Sequence, residues 1–177
     1  MELIEGRVEV GGERFPDAES FVDALSAVGD EHGVTVQTFD ARYVVSRRHL
    51  ERALELADRE RGRGAAIVQD RAVEVLLYAA GRRQIDRALG MGVGEGVVPV
   101  VVLVDDPETG EGDGVEGRER AAATAIEGLV EPAETLGAYD PERVCEFFEI
   151  GETEREATDA DIEALVLERV ALLIVER

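Results

Sequence analysis

The stretch Val97-Val-Pro-Val-Val-Val-Leu-Val104 decides how the chain is read. A strand with one wet face alternates apolar and polar residues. This run does not alternate, so it predicts a central strand buried on both faces. It is far too short to cross a bilayer, and Pro99 interrupts it. On its N-terminal side lies Gly90-Met-Gly-Val-Gly-Glu-Gly96, and on its C-terminal side a polar, acidic loop over Asp105–Gly117. A dinucleotide loop must follow a strand and open a helix. Here a helical pattern precedes the glycines and a strand follows them, so they read as a turn. The acidic loop lacks the alternating ligand spacing and closing glutamate of a calcium-binding EF-hand, and reads as solvated.

Working outward, Met1–Val10 is a second strand ending in the turn Gly11-Gly12. Val34–Phe39 is a third. Asp17 is placed to cap a helix over 18–29, with Phe21, Val22, Leu25 and Val28 on one face. Ser46 is placed to cap a helix over 47–61, with Leu50, Ala53, Leu54 and Ala57 as its apolar stripe. After Gly62 and Gly64 comes a short extended piece, Ala65–Val68. Asp70 then caps a helix carrying Val73, Leu76, Leu77 and Ala80. Gly81 breaks it, a short helix follows over 82–89, and Gly90 ends that one. Further helices are expected over 118–129, 141–148 and 159–175. The last is apolar on two sides and should be packed between other elements. No internal repeat is present. The reading is one domain over 1–177 of α/β (α+β) class, a small central sheet surrounded by helices.

Forty acids face 19 basic residues, all arginine, for a net charge of −21. Residues 41–90 stand apart, with 11 arginines against seven acids, or +4. The remainder holds eight against 33, or −25. A hydrophobic content of 45% with clear periodicity excludes a disordered acidic chain. The surface reads as halophilic, since molar salt shortens the screening length to about 3 Å and makes such self-repulsion tolerable. One cysteine, Cys145, permits no internal disulfide and fits a reducing cytoplasm. It reads as a small buried apolar residue. No apolar run follows a basic stretch at the N-terminus, so no secretory signal is read.

Neither His32 nor His49 has a partner at metal-ligand spacing, and the abundant acids single out no acid–base pair. No catalytic residue, metal or cofactor is expected. The arginines of 42–87 have two readings. One is a solvated face with pairs such as Arg82–Asp86 and Arg48–Arg52 flanked by Glu51 and Glu55. The other is a face that meets an anion.

Several stretches carry a resemblance: Gln37-Thr-Phe-Asp-Ala41, Ser46-Arg-Arg-His-Leu-Glu-Arg-Ala53, Glu74-Val-Leu-Leu-Tyr-Ala-Ala-Gly-Arg-Arg-Gln-Ile85, Ala88-Leu-Gly-Met-Gly-Val93 and Glu168-Arg-Val-Ala-Leu-Leu173. Together they resemble the small kinase-binding subunit of the KEOPS complex, the PRPK-binding protein family, in a salt-adapted archaeal form. The resemblance runs nearly end to end, is densest over 74–93 and is weakest over 105–160. It implies a non-catalytic, cytoplasmic subunit of the assembly that makes threonylcarbamoyladenosine in tRNA. Such a subunit docks on an atypical small kinase, stimulates its ATPase activity, and helps hold tRNA by its 3′ CCA end. The remaining KEOPS subunits are met indirectly, and no membrane is involved. Within that frame Arg47, Arg48, His49, Tyr78, Arg82, Arg83 and Gln84 are the expected tRNA contacts, arginines for charge and a ring for stacking. Ile85, Leu89, Met91 and Val93 are the expected kinase contacts, because so short a helix has little core of its own. The alternatives are a kinase regulator without RNA contact and a stand-alone α/β enzyme.

Overall fold

A computed structural model describes residues 1–108, 113–157 and 161–175, with only the backbone described at 113–116. In chain order the elements are β1 (Glu2–Val10), α1 (Ala18–His32), β2 (Thr35–Asp40), α2 (Arg47–Gly62), α3 (Arg71–Ala80), α4 (Ile85–Ala88), β3 (Gly96–Asp105), α5 (Asp113–Glu127), β4 (Glu131–Pro132), α6 (Pro141–Phe147), α7 (Glu152–Ala157) and α8 (Ile162–Leu172). They fall into two compact units, one built from 1–41 with 93–135 and the other from 42–92 with 136–177.

The first unit holds a four-stranded antiparallel sheet in the order β2-β3-β1-β4. The antiparallel pairing makes the class α+β. Residues Val100 to Val104 of β3 are each fully buried, as the unbroken apolar run requires. Pro99 sits opposite Arg7 of β1 and just beyond the end of β2, whose pairing with β3 runs from Asp40↔Val100 onward. Asp17 caps α1 in a box with Ser20: the Ser20 N–H donates to the Asp17 carboxylate and the Asp17 N–H to the Ser20 hydroxyl. Phe21 and Leu25 of α1, with Ala122, Ala123 and Ile126 of α5, bury the sheet face formed by Ile4, Val8, Val100, Val102 and their neighbours. Val22, expected on that stripe, is exposed; Gly29 takes the buried place instead. A Cβ at Gly29 would lie 2.9 Å from the Val34 carbonyl oxygen.

The second unit is helical, with α2 packed on α3 and α8 against both. The extended piece Ala65–Val68 belongs to no strand; it is a loop held by the buried Glu74 carboxylate, which accepts the N–H groups of Ile67 and Val68 at 2.9–3.1 Å. Three expectations change here. The short helix is a single turn, Ile85–Ala88, continued by a 3-10 turn over Leu89–Met91. Gly90 therefore is not a left-handed cap. Its role is steric, since a Cβ would sit 2.8 Å from the Phe147 ring. Cys145 is half-buried. In the first unit, the stretch expected as a loop over 105–117 becomes helix α5 from Asp113, while residues 109–112 lie outside the described residues. Helix α7 and strand β4 were not expected. Among the described residues no helix is long and apolar enough to cross a membrane.

Candidate functional site

The arginines singled out by the sequence lie on the second unit, at the N-terminus of α2 and the C-terminus of α3. His49 brings these two ends together. Ser46 caps α2 by accepting the His49 N–H at 3.2 Å, which turns the imidazole inward. Its Nε2–H then donates to the Ala79 carbonyl at 2.8 Å, and its Nδ1 accepts the Val45 N–H at 3.4 Å. Both ring nitrogens are used by the neutral tautomer alone. The ring is fully buried against Phe148, and burial lowers its pKa to about 4 against the opposing effect of the Ala79 bond. His49, expected to touch tRNA, thus offers neither ring nitrogen to a ligand in this structure. It is the bolt that holds Arg47 and Arg48 at the end of α2 beside the last turn of α3.

That last turn closes as a Schellman motif. Gly81 is left-handed (φ 61°), its N–H reaches Tyr78 O at 3.1 Å, and the Arg82 N–H reaches Leu77 O at 3.0 Å. Tyr78, expected to stack on a base, is buried in the core, where burial and the Glu74 charge raise its phenol pKa. Arg82 does not pair with Asp86. Its guanidinium lies over the Phe147 ring at 5.5 Å, donates to the Phe147 carbonyl and reaches Glu149 at 3.4 Å. Arg83 is exposed and, among the described residues, donates to the Leu173 carbonyl at 3.4 Å. Arg47 is exposed and paired with Glu51 at 2.8 Å. Arg52 holds Glu55 at 3.0 Å, an intrahelical pair of the expected kind. Arg48 and Gln84 are exposed.

The expected kinase contacts divide. Ile85 and Leu89 are 44% and 58% exposed, large values for such side chains. Met91 is fully buried, and Val93 is half-buried against the core of the first unit. Neither is part of an exposed patch. A one-turn helix has its inner side filled by Ala88 and then Met91, which leaves Ile85 and Leu89 outside.

Sequence reasoning missed the segment 147–149. Phe147 packs edge-on against Tyr43 at 5.4 Å and against Phe148 at 5.0 Å. Glu149 has a left-handed backbone (φ 55°) at the C′ position of α6, where the Ile150 N–H reaches Cys145 O at 2.8 Å. Arg169 braces it, donating to the Phe148 and Glu149 carbonyls and pairing with Glu154 at 2.7 Å. The Phe-Phe doublet at a helix end was the available signal. Beside it opens a cleft of about 540 Å³ lined by Tyr43, Phe147, Arg143, Asp140, Glu142 and Glu146. Three carboxylates to one guanidinium make it hostile to a phosphate. Among the described residues no group of three metal-ligating side chains converges.

No curated protein matches the chain. The family described as kinase binding protein CGI-121 matches residues 19–173, which takes in α2, α3, α4 and the braced end of α6. With most of its length matched, this chain belongs to the CGI-121 family of kinase-binding proteins.

Proposed function

We propose that this chain is a non-catalytic, cytoplasmic subunit of a KEOPS-type assembly. It docks on an atypical small kinase and helps recruit tRNA by its CCA end. The observation that carries the kinase surface is the exposed pair Ile85 and Leu89 on an isolated helical turn, in a chain whose family binds kinases. Burying two such side chains at an interface centre fits hot-spot energetics, in which truncating one residue costs about 2 kcal/mol or more. Ile85→Glu and Leu89→Glu are expected to fold like the wild type and to lose co-purification with the kinase, a drop of about 30-fold or more in affinity. If both fold and both bind normally, the kinase surface is elsewhere.

The tRNA part of the reading is supported by Arg47, Arg48 and Arg83, exposed at adjoining helix ends of a segment that kept net positive charge. Arg82 is a positioning residue, because its guanidinium is committed to Phe147 and Glu149. The clean variant is therefore Arg48→Glu with Arg83→Glu. It should weaken intact tRNA and leave tRNA lacking CCA little changed. Equal affinity of the wild type for the two RNAs would overturn the assignment of this face to the CCA end, and no binding of either would favour a kinase regulator without RNA contact.

A further inference from the structure

We propose that the uncovered edge of β1 takes up an extended, basic segment of a protein partner as an added strand. This surface is on the first unit and does not involve α2–α4, so it stands apart from the kinase and tRNA reading.

β1 pairs with β3 at all nine of its residues, from Glu2↔Val104 to Val10↔Gly96. On its other edge β4 covers it only at Gly6↔Pro132 and Arg7↔Glu131. Gly6 permits that approach, since a Cβ there would meet the Glu131 carbonyl at 2.7 Å. Pro132 has no N–H to give, which weakens the cover further. Along the rest of β1, alternate residues direct both N–H and C=O toward this edge. An open row of such groups is a template for strand addition.

The edge beside Leu3 and Ile4 is not flat. It opens into a groove of about 620 Å³, within the size range of ligand clefts. Leu3, Ile4, Val130, Pro132 and Ala133 supply apolar walls, and among the described residues Glu5, Glu127 and Glu134 are its charged lining. Glu5 already accepts the Thr135 N–H at 3.0 Å, so Glu134 and Glu127, the latter 3.9 Å from the Arg120 guanidinium, form the rim. Apolar walls with an acidic rim fit a strand that alternates apolar and cationic side chains. A second copy of this chain, at −21, would bring more carboxylates to carboxylates and is disfavoured.

The probes are three labelled peptides: alternating lysine and valine, the same peptide N-methylated at alternate amides, and alternating glutamate and valine. Binding is measured to the full chain in about 1 M salt, where diffuse attraction is screened beyond about 3 Å. The lysine–valine peptide should bind saturably and slow amide exchange in residues 2–5. The N-methylated and glutamate peptides should bind about tenfold more weakly or worse, as should the lysine peptide to Glu127→Lys with Glu134→Lys. Equal binding of the N-methylated peptide means charge alone and overturns the proposal. So does no binding, or protection confined to other segments. Self-association that protects residues 2–5 assigns the edge to a second copy and also overturns it. Should the double variant fail to fold, the N-methylated comparison on the wild type decides alone.

Discussion

At the residue scale, two side chains in the second unit carry measurable tension. His49 is neutral because it is buried, and its pKa falls to about 4 from the ordinary 6.5. Between those values the unfolded chain binds a proton that the folded one refuses. Stability is therefore full above about pH 6.5 and is lost as pH falls toward 4. The slope expected between pH 6 and 5 is about 1.4 kcal/mol per pH unit. Urea titrations of wild type and His49→Gln across this range should differ by that slope; parallel curves would show that the ring is not the titrating group. Glu149 holds a left-handed backbone that costs an L-residue roughly 1–2 kcal/mol. Its ion pair with Arg82 is mostly exposed on the glutamate side and returns less than about 1 kcal/mol. Glu149→Gly should thus raise the melting temperature slightly, and Glu149→Val should lower it.

At the element scale, the α2–α3 connection shows how one buried carboxylate replaces regular structure. Glu74 satisfies Ile67 and Val68, and Arg61 reaches the Val68 carbonyl at 3.1 Å. Glu74→Gln keeps the shape but loses one acceptor oxygen and the charge. Bonds to charged groups contribute about 1.5–3 kcal/mol each, so a loss of that order is expected. Limited trypsin digestion should then cut faster after Arg61 and Arg63 while the helices stay protected. An unchanged cutting rate would mean that the loop is held by its apolar contacts alone. The same connection explains why the extended piece Ala65–Val68 needs no strand partner. Its backbone groups are met by a side chain from the next helix, and no local pattern announces that.

At the scale of the whole molecule, the chain crosses between its two units three times. Unfolding one unit therefore pulls on both ends of segments belonging to the other. We expect a single cooperative transition, as for one domain. All three tyrosines, Tyr43, Tyr78 and Tyr139, lie in the second unit, so their fluorescence reports that unit alone while far-UV circular dichroism reports both. Coincident midpoints are expected; separated ones would make the units independent domains. With a net charge of −21, both midpoints should rise together as salt goes from about 0.1 M to 1 M and the screening length shrinks from about 10 Å to 3 Å.

Much of this fold was legible because its signals are local. Asp17, Ser46 and Asp70 each cap the helix that follows them, through bonds reaching three residues along the chain. Gly33 and Gly81 end helices because only glycine enters the left-handed region freely. The run from Val97 to Val104 announced a central strand because its residues have no polar face to offer water. The site was less legible, since burial of a polar ring depends on what lies across from it. His49 follows two arginines on a first helical turn and reads as surface; only the Ala79 carbonyl, 30 residues on, draws it inside. Tyr78 and Met91 went the same way, while Phe147 reached Arg82 from 65 residues away. The sequence by itself determined the caps, the breaks and the apolar faces, because those rest on interactions within a turn or two. The tertiary structure alone decided which arginines stay free and which apolar side chains stay outside, because that depends on partners far along the chain.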